Sequence, residues 1–142
     1  VSGNFEYPDT DVDYIFLSNL RRFKELSEDK KSKCIVTSNI PADGVYLQTK
    51  YKDLLNPLES VRDNAGLMAI RFMIDYGVSE ISLAGFDGYS HDVQENYADN
   101  QMAFITKNAV LDAMNEGMTT ILKELSEKTT ISFLTEMKHI IM

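Results

Sequence analysis

Short apolar runs alternate with helix-patterned stretches along this chain, and few architectures accommodate that order. Residues 14–18 read as a buried strand, and Asn19 can cap a following helix that carries Leu20, Phe23 and Leu26 on one stripe. Residues 33–38 form the next buried strand. Pro41, Ala42, Asp43 and Gly44 then supply turn chemistry, and residues 45–49 alternate as a third strand. After Asn56 and Pro57 the spacing predicts a helix over residues 59–76. Its stripe of Val61, Ala65, Met68, Ala69 and Phe72 is joined by a second of Leu67, Ile70 and Ile74. A helix that is apolar over most of its circumference must be buried on more than one side. Gly77 ends it, and residues 80–84 are the next strand.

The long segment 96–128 has Tyr97, Phe104, Leu111, Met118 and Leu125 seven apart, with Met114, Ile121 and Leu122 filling in. A core-facing helix kinked near Gly117 accounts for this pattern. A homodimer seam over residues 104–125 is the alternative. Residues 130–134 close the series as a last strand. Strands alternating with helices imply a mostly parallel sheet with right-handed crossovers. The expected fold is therefore α/β, a Rossmann-like three-layer sandwich filling residues 1–142 as one domain. Residues 1–5 read as the end of a strand running into a loop, and residues 139–142 stop on an apolar stretch. A domain that is a fragment of a longer chain, lacking its first strand–helix unit, is the expectation.

Charge narrows the partners. With 14 basic and 22 acidic residues the net charge is −8, whereas nucleic-acid binders cluster Lys and Arg against phosphates. The clusters Arg21-Arg22 and Lys30-Lys31 are interleaved with acids and read as a solvated helix face, so nucleic acid is not an expected partner. No apolar run approaches the roughly 18 residues of a membrane span, and the opening residues have no basic start or apolar h-region, so no signal peptide is expected among them. A cytoplasmic protein without membrane insertion is expected. One cysteine, Cys34, lies in an apolar run and reads as a buried structural thiol.

In parallel α/β sheets ligands bind outside the C-terminal ends of the strands. There the sequence places Ser18 and Asn19, then Thr37, Ser38 and Asn39, then residues 85–89. Gly85 and Gly88 would let backbone approach a ligand, Asp87 could accept hydrogen bonds from sugar or ribose hydroxyls, and Tyr89 could lie nearby. A tight turn in which Asp87 bonds its own backbone explains the same residues. His91 could serve as a general base, or could simply be an exposed loop residue. Asn64 and Gly66 begin the buried helix and could leave room for a phosphate. No Gly-rich phosphate loop, metal-binding spacing or nucleophile elbow is present.

Two stretches carry a resemblance. Residues 64–70 with 76–89 resemble a segment shared by bacterial sialyltransferase-like glycosyltransferases and MptE-like, pterin pyrophosphokinase-related domains. Residues 13–23 with 36–40 resemble the C-terminal extension of bacterial proteins with an HMG-CoA-lyase-like barrel, of the 4-hydroxy-2-oxovalerate aldolase type, associated with surface-polysaccharide loci. The resemblance spans about residues 12–134. It implies an accessory C-terminal domain of a lyase, binding a nucleotide or nucleotide-sugar. The upstream barrel of the same chain would be its partner and would hold the aldolase chemistry and its divalent metal. No cofactor is implied in this domain. The transferase-like group carries over Asp87, Asn64 and Gly66 as ligand-binding residues and His91 as base, and implies a glycosyltransferase as the alternative function. A non-catalytic dimerisation module is the third reading. Asn39, Gly85 and Tyr89 complete the candidate ligand-binding set.

Overall fold

The computed structural model describes residues 1–4, 11–92, 96 and 106–142. The chain is mixed α/β with parallel sheets, as expected, and divides into two compact units. One comprises Val1–Leu55 with Asp63–Phe72, the other Asn56–Arg62 with Met73–Met142.

The first unit is built on four parallel strands, β1 (Ser2–Gly3), β2 (Ile15–Leu17), β3 (Cys34–Thr37) and β4 (Leu47–Thr49), in the order β1-β2-β3-β4. The pleat sends Ile15, Leu17, Cys34 and Val36 to one face, where Phe23, Leu26 and Ile40 cover them. Phe23 comes from α1 (Leu20–Lys24), which Asn19 caps by accepting from the Arg22 amide at 3.2 Å. Ile40 comes from the β3–β4 connection, which contains no helix and fills that layer with a buried side chain instead. Strands advancing in one direction with right-handed crossovers must place both connections on the same face, and they do. Phe16 and Ile35 point the other way, onto Leu54, Met68 and Ala69, with Phe72 partly buried beside them. Met68, Ala69 and Phe72 belong to α2 (Ala65–Asp75), so this unit has the layered arrangement expected. Cys34 is buried, its thiol 3.5 Å from the Lys30 carbonyl.

The helix expected over 59–76 is two elements. Glu59–Val61 is a short 3₁₀ turn, and α2 starts only at Ala65. Buried Asn56 explains the break: its Nδ2 donates to the Val61 carbonyl at 3.0 Å and its amide to the Arg62 carbonyl at 2.8 Å. Those carbonyls would otherwise receive the amides of a continuous helix four residues on. Asn64 then caps α2, accepting from Leu67 N on its side chain at 3.1 Å. Leu67, Met68, Ala69 and Ile70 are buried in succession, as two apolar stripes require.

The second unit is a βαβ unit. β5 (Glu80–Leu83) and β6 (Thr130–Phe133) pair in parallel, and α3 (Asn108–Ser126) lies between them in sequence. Ile81 and Leu83 are buried, while Glu80, Ser82, Thr130 and Ser132 face outward, with the two serine hydroxyls 3.0 Å apart. α3 is shorter than the expected 96–128 helix, and Tyr97 and Phe104 lie outside the described residues. Leu111, Met118, Ile121, Leu122 and Leu125 are buried within the chain, so this face serves its own core.

The helix continues through Gly117, whose missing side chain has a packing reason. A Cβ there would lie 2.6 Å from Ser60 Oγ and 3.1 Å from both Val61 methyls. Gly117→Val should therefore destabilise the protein by about 2–3 kcal/mol despite removing a helix glycine. Denaturant melts of the two proteins check this, and an unchanged midpoint would contradict the close approach.

Candidate functional site

All strands of the first sheet run the same way, so their C-terminal ends share one edge, and polar side chains tie that edge together. Asn4 Oδ1 accepts from Ser18 N at 3.3 Å, joining the ends of β1 and β2. The buried Thr37 hydroxyl donates to Asn39 Oδ1, and the Leu17 carbonyl lies 3.4 Å from it. Asn39 Nδ2 donates to the Ser18 carbonyl at 2.9 Å, joining β3 to β2. Ser38 Oγ accepts from Tyr51 N at 3.0 Å, joining the loop after β3 to the 3₁₀ turn Tyr51–Leu54 that follows β4.

Between these two loops lies an open cleft of about 430 Å³, lined by Ser38, Asn39, Lys50, Tyr51, Lys52 and Asp53. The strand order never reverses in this sheet, so the opening owes nothing to a topological switch. It exists because one loop turns back at Asn39 while the next coils at Tyr51. The Tyr51 ring packs partly into the core beneath and fixes that coil. Burial, and secondarily the Asp63 carboxylate, raise the Tyr51 phenol above its ordinary value of 10.0.

A phenol whose folded pKa is raised keeps its proton longer in the folded state than in the unfolded chain. Its contribution is complete below the unfolded value near 10 and is lost as pH rises through the folded value. The melting temperature should fall as pH climbs past about 10, and Tyr51→Phe should flatten part of that fall. Identical pH profiles for the two proteins would remove Tyr51 from the account.

The 85–91 loop belongs to the second unit and is held by backbone hydrogen bonds. Gly85 and Gly88 adopt φ of +77° and +82°, which favours glycine. Gly85 N donates to Thr135 Oγ1 at 2.8 Å, and His139 N donates to the Asp87 carbonyl at 2.7 Å. Asn115 of α3 takes both backbone groups of Tyr89, accepting from its N–H at 2.6 Å and donating to its carbonyl at 2.8 Å. The Asp87 carboxylate, by contrast, accepts no hydrogen bond among the described residues, so the turn is not held by that side chain. His91 Nε2 lies 2.7 Å from Asp112 Oδ1, and both side chains are more than half exposed. Both histidines of the chain thus meet this loop, His91 within it and His139 against Gly88.

The candidate residues divide between the units. Asn39 lines the cleft, with its side chain engaged in bracing the edge. Asn64 and Gly66 open α2 in the same unit, Asn64 as its cap. Gly85, Asp87, Tyr89 and His91 lie together in the other unit. Lys50, Tyr51, Lys52 and Asp53 were not anticipated, although they follow β4 just as Ser38 and Asn39 follow β3. Asp112 and Asn115 carry no sequence signal of their own, being ordinary α3 residues that reach the loop only through tertiary packing. Among the described residues no three or more His, Cys, Asp or Glu side chains gather as a metal site, and no helix is long and apolar enough to cross a membrane.

No family model matches this chain, and no curated protein or solved structure matches it.

Proposed function

We propose that this chain is a ligand-binding accessory domain of an aldolase-like lyase, of the 4-hydroxy-2-oxovalerate aldolase type. It takes a nucleotide or nucleotide-sugar in cytoplasmic surface-polysaccharide synthesis. The observation that carries the binding reading is the cleft at the C-terminal strand edge. Ser38, Asn39, Lys50, Lys52 and Asp53 line it beside Tyr51, on loops braced by the Asn39 and Ser38 side chains. The resemblance of residues 13–23 and 36–40 supports the lyase context, in which the aldol chemistry and its divalent metal belong to the upstream barrel. The test is thermal-shift and calorimetric screening of the chain against nucleoside mono- and diphosphates, nucleotide-sugars and hexose phosphates. Saturable binding that Asn39→Ala or Lys52→Glu weakens supports the reading. Binding that survives both substitutions would move the site elsewhere.

The second reading is a glycosyltransferase in which His91 acts as base and Asp87 holds ligand hydroxyls. The 2.7 Å contact of His91 with Asp112 favours it, because a carboxylate on one ring nitrogen orients the imidazole and presents the other nitrogen to a substrate. Turnover of a nucleotide-sugar donor panel decides the matter. Loss of turnover in His91→Ala supports the assignment, and unchanged rates remove it.

A further inference from the structure

We infer that the cleft is a subsite for a phosphorylated sugar, with Lys50 and Lys52 holding its phosphoryl group and Asp53 accepting from a hydroxyl; this rests on, and sharpens, the ligand-binding reading above. Lys50 and Lys52 flank Tyr51 in the chain, and both line the cleft. Partial burial of the Tyr51 ring in the core and the bond of its amide to Ser38 Oγ fix the turn that carries both lysines. Among the described residues neither lysine forms an ion pair, in a chain of net charge −8. Lys31, in the 3₁₀ turn Glu28–Lys33, and Lys128, in the turn after α3, are each paired with a glutamate three or four residues away.

The type of cation indicates the type of anion. A planar carboxylate is matched by the rigid fork of an arginine, and no arginine lines this cleft. Separate ammonium point charges suit the several oxygens of a phosphate, each donor finding its own acceptor. Ser38 adds a neutral donor, because its oxygen already accepts from Tyr51 N and its O–H proton is left to give. The Asp53 carboxylate accepts hydrogen bonds and repels a second anion, so it fits the hydroxyl end of the ligand. The cleft volume falls within the range of small-molecule sites, of which a pentose or hexose phosphate fills a reasonable part.

The experiment is a heteronuclear NMR titration of the isotope-labelled chain with ribose 5-phosphate, with ribose and with inorganic phosphate, repeated on Lys50→Gln and Lys52→Gln. Both substitutions are at exposed side chains and leave the core untouched. Ribose 5-phosphate and inorganic phosphate should shift the amides of Ser38, Asn39 and Lys50 to Asp53. Ribose should bind at least about tenfold more weakly, each substitution should weaken the phosphorylated probe about tenfold, and added salt should weaken it further. If ribose binds as well as its phosphate, or both variants keep full affinity, the phosphoryl subsite is overturned while the cleft remains a ligand site. If none of the probes moves these amides, both the subsite and the ligand-binding reading of the cleft fall.

Discussion

Phe16→Ala is expected to remove about 3–5 kcal/mol of stability, the largest loss of any single truncation in the first unit. Phe16 is fully buried at the centre of β2 and meets Ile35, Leu54, Met68 and Ala69, with the Phe72 ring centroid 6.3 Å away. Those partners come from β3, from the turn after β4 and from α2, so one ring holds three elements against the sheet. The truncation leaves a cavity that a strand cannot close, because β2 is hydrogen-bonded on both sides, to β1 and β3. It should also loosen the cleft, since Leu54 ends the turn that presents Lys52 and Asp53. Chemical denaturation measures the first effect. A loss below about 1 kcal/mol would mean that Phe16 is not a core residue.

Gly88→Ala should cost about 3 kcal/mol, from two independent sources. The backbone at φ +82° disfavours any side chain, a strain of about 1–2 kcal/mol. The new Cβ would also lie 2.8 Å from both Asn115 Oδ1 and His139 Cβ. The His139 Cβ sits on the backbone of a segment whose Ile140 is buried, so it cannot swing aside as a chain end would. Asn115 cannot yield without giving up its bonds to Tyr89. Relief therefore means releasing either the 85–91 loop or the segment that ends the described chain. Hydrogen exchange of the Tyr89 amide is the specific readout. Protection equal to that of the unaltered protein would contradict this account of the loop.

These two residues illustrate what the sequence could and could not supply. Residues 14–18 and 33–38 were legible as strands because runs of apolar and β-branched residues at that length have no other economical use. Parallel pairing followed from the alternation with helices. The break within 59–76 was not legible, because it depends on Asn56 reaching forward to two carbonyls, and an isolated Asn before Pro57 reads only as a turn. The 3₁₀ turns Glu28–Lys33 and Tyr51–Leu54 have no apolar period long enough to register. Leu20 shares the expected apolar stripe with Phe23 and Leu26, but it opens α1 and is exposed while the other two are buried.

The site followed the same logic. The rule that ligands gather at C-terminal strand ends led to Asn39 and to the 85–91 loop. It applied equally after β4, where Lys50 to Asp53 complete the cleft. What no periodicity encodes is which polar groups are used up in bracing. Asn39 and Asn64 look alike as candidate ligand residues, yet one ties two strand ends together and the other caps a helix. The Asp87 carboxylate, which the sequence could not separate from that of a turn-forming aspartate, accepts no hydrogen bond among the described residues, and Asn115, Thr135 and His139 hold its loop instead.

The most direct test is hydrogen–deuterium exchange of the chain with and without a saturating nucleotide-sugar, read peptide by peptide. Binding at the strand edge predicts added protection over residues 37–40 and 49–54, with residues 84–92 unchanged. Protection over 84–92 alone would contradict the edge as the binding site and move the function to the His91 loop, and no added protection anywhere would contradict ligand binding itself.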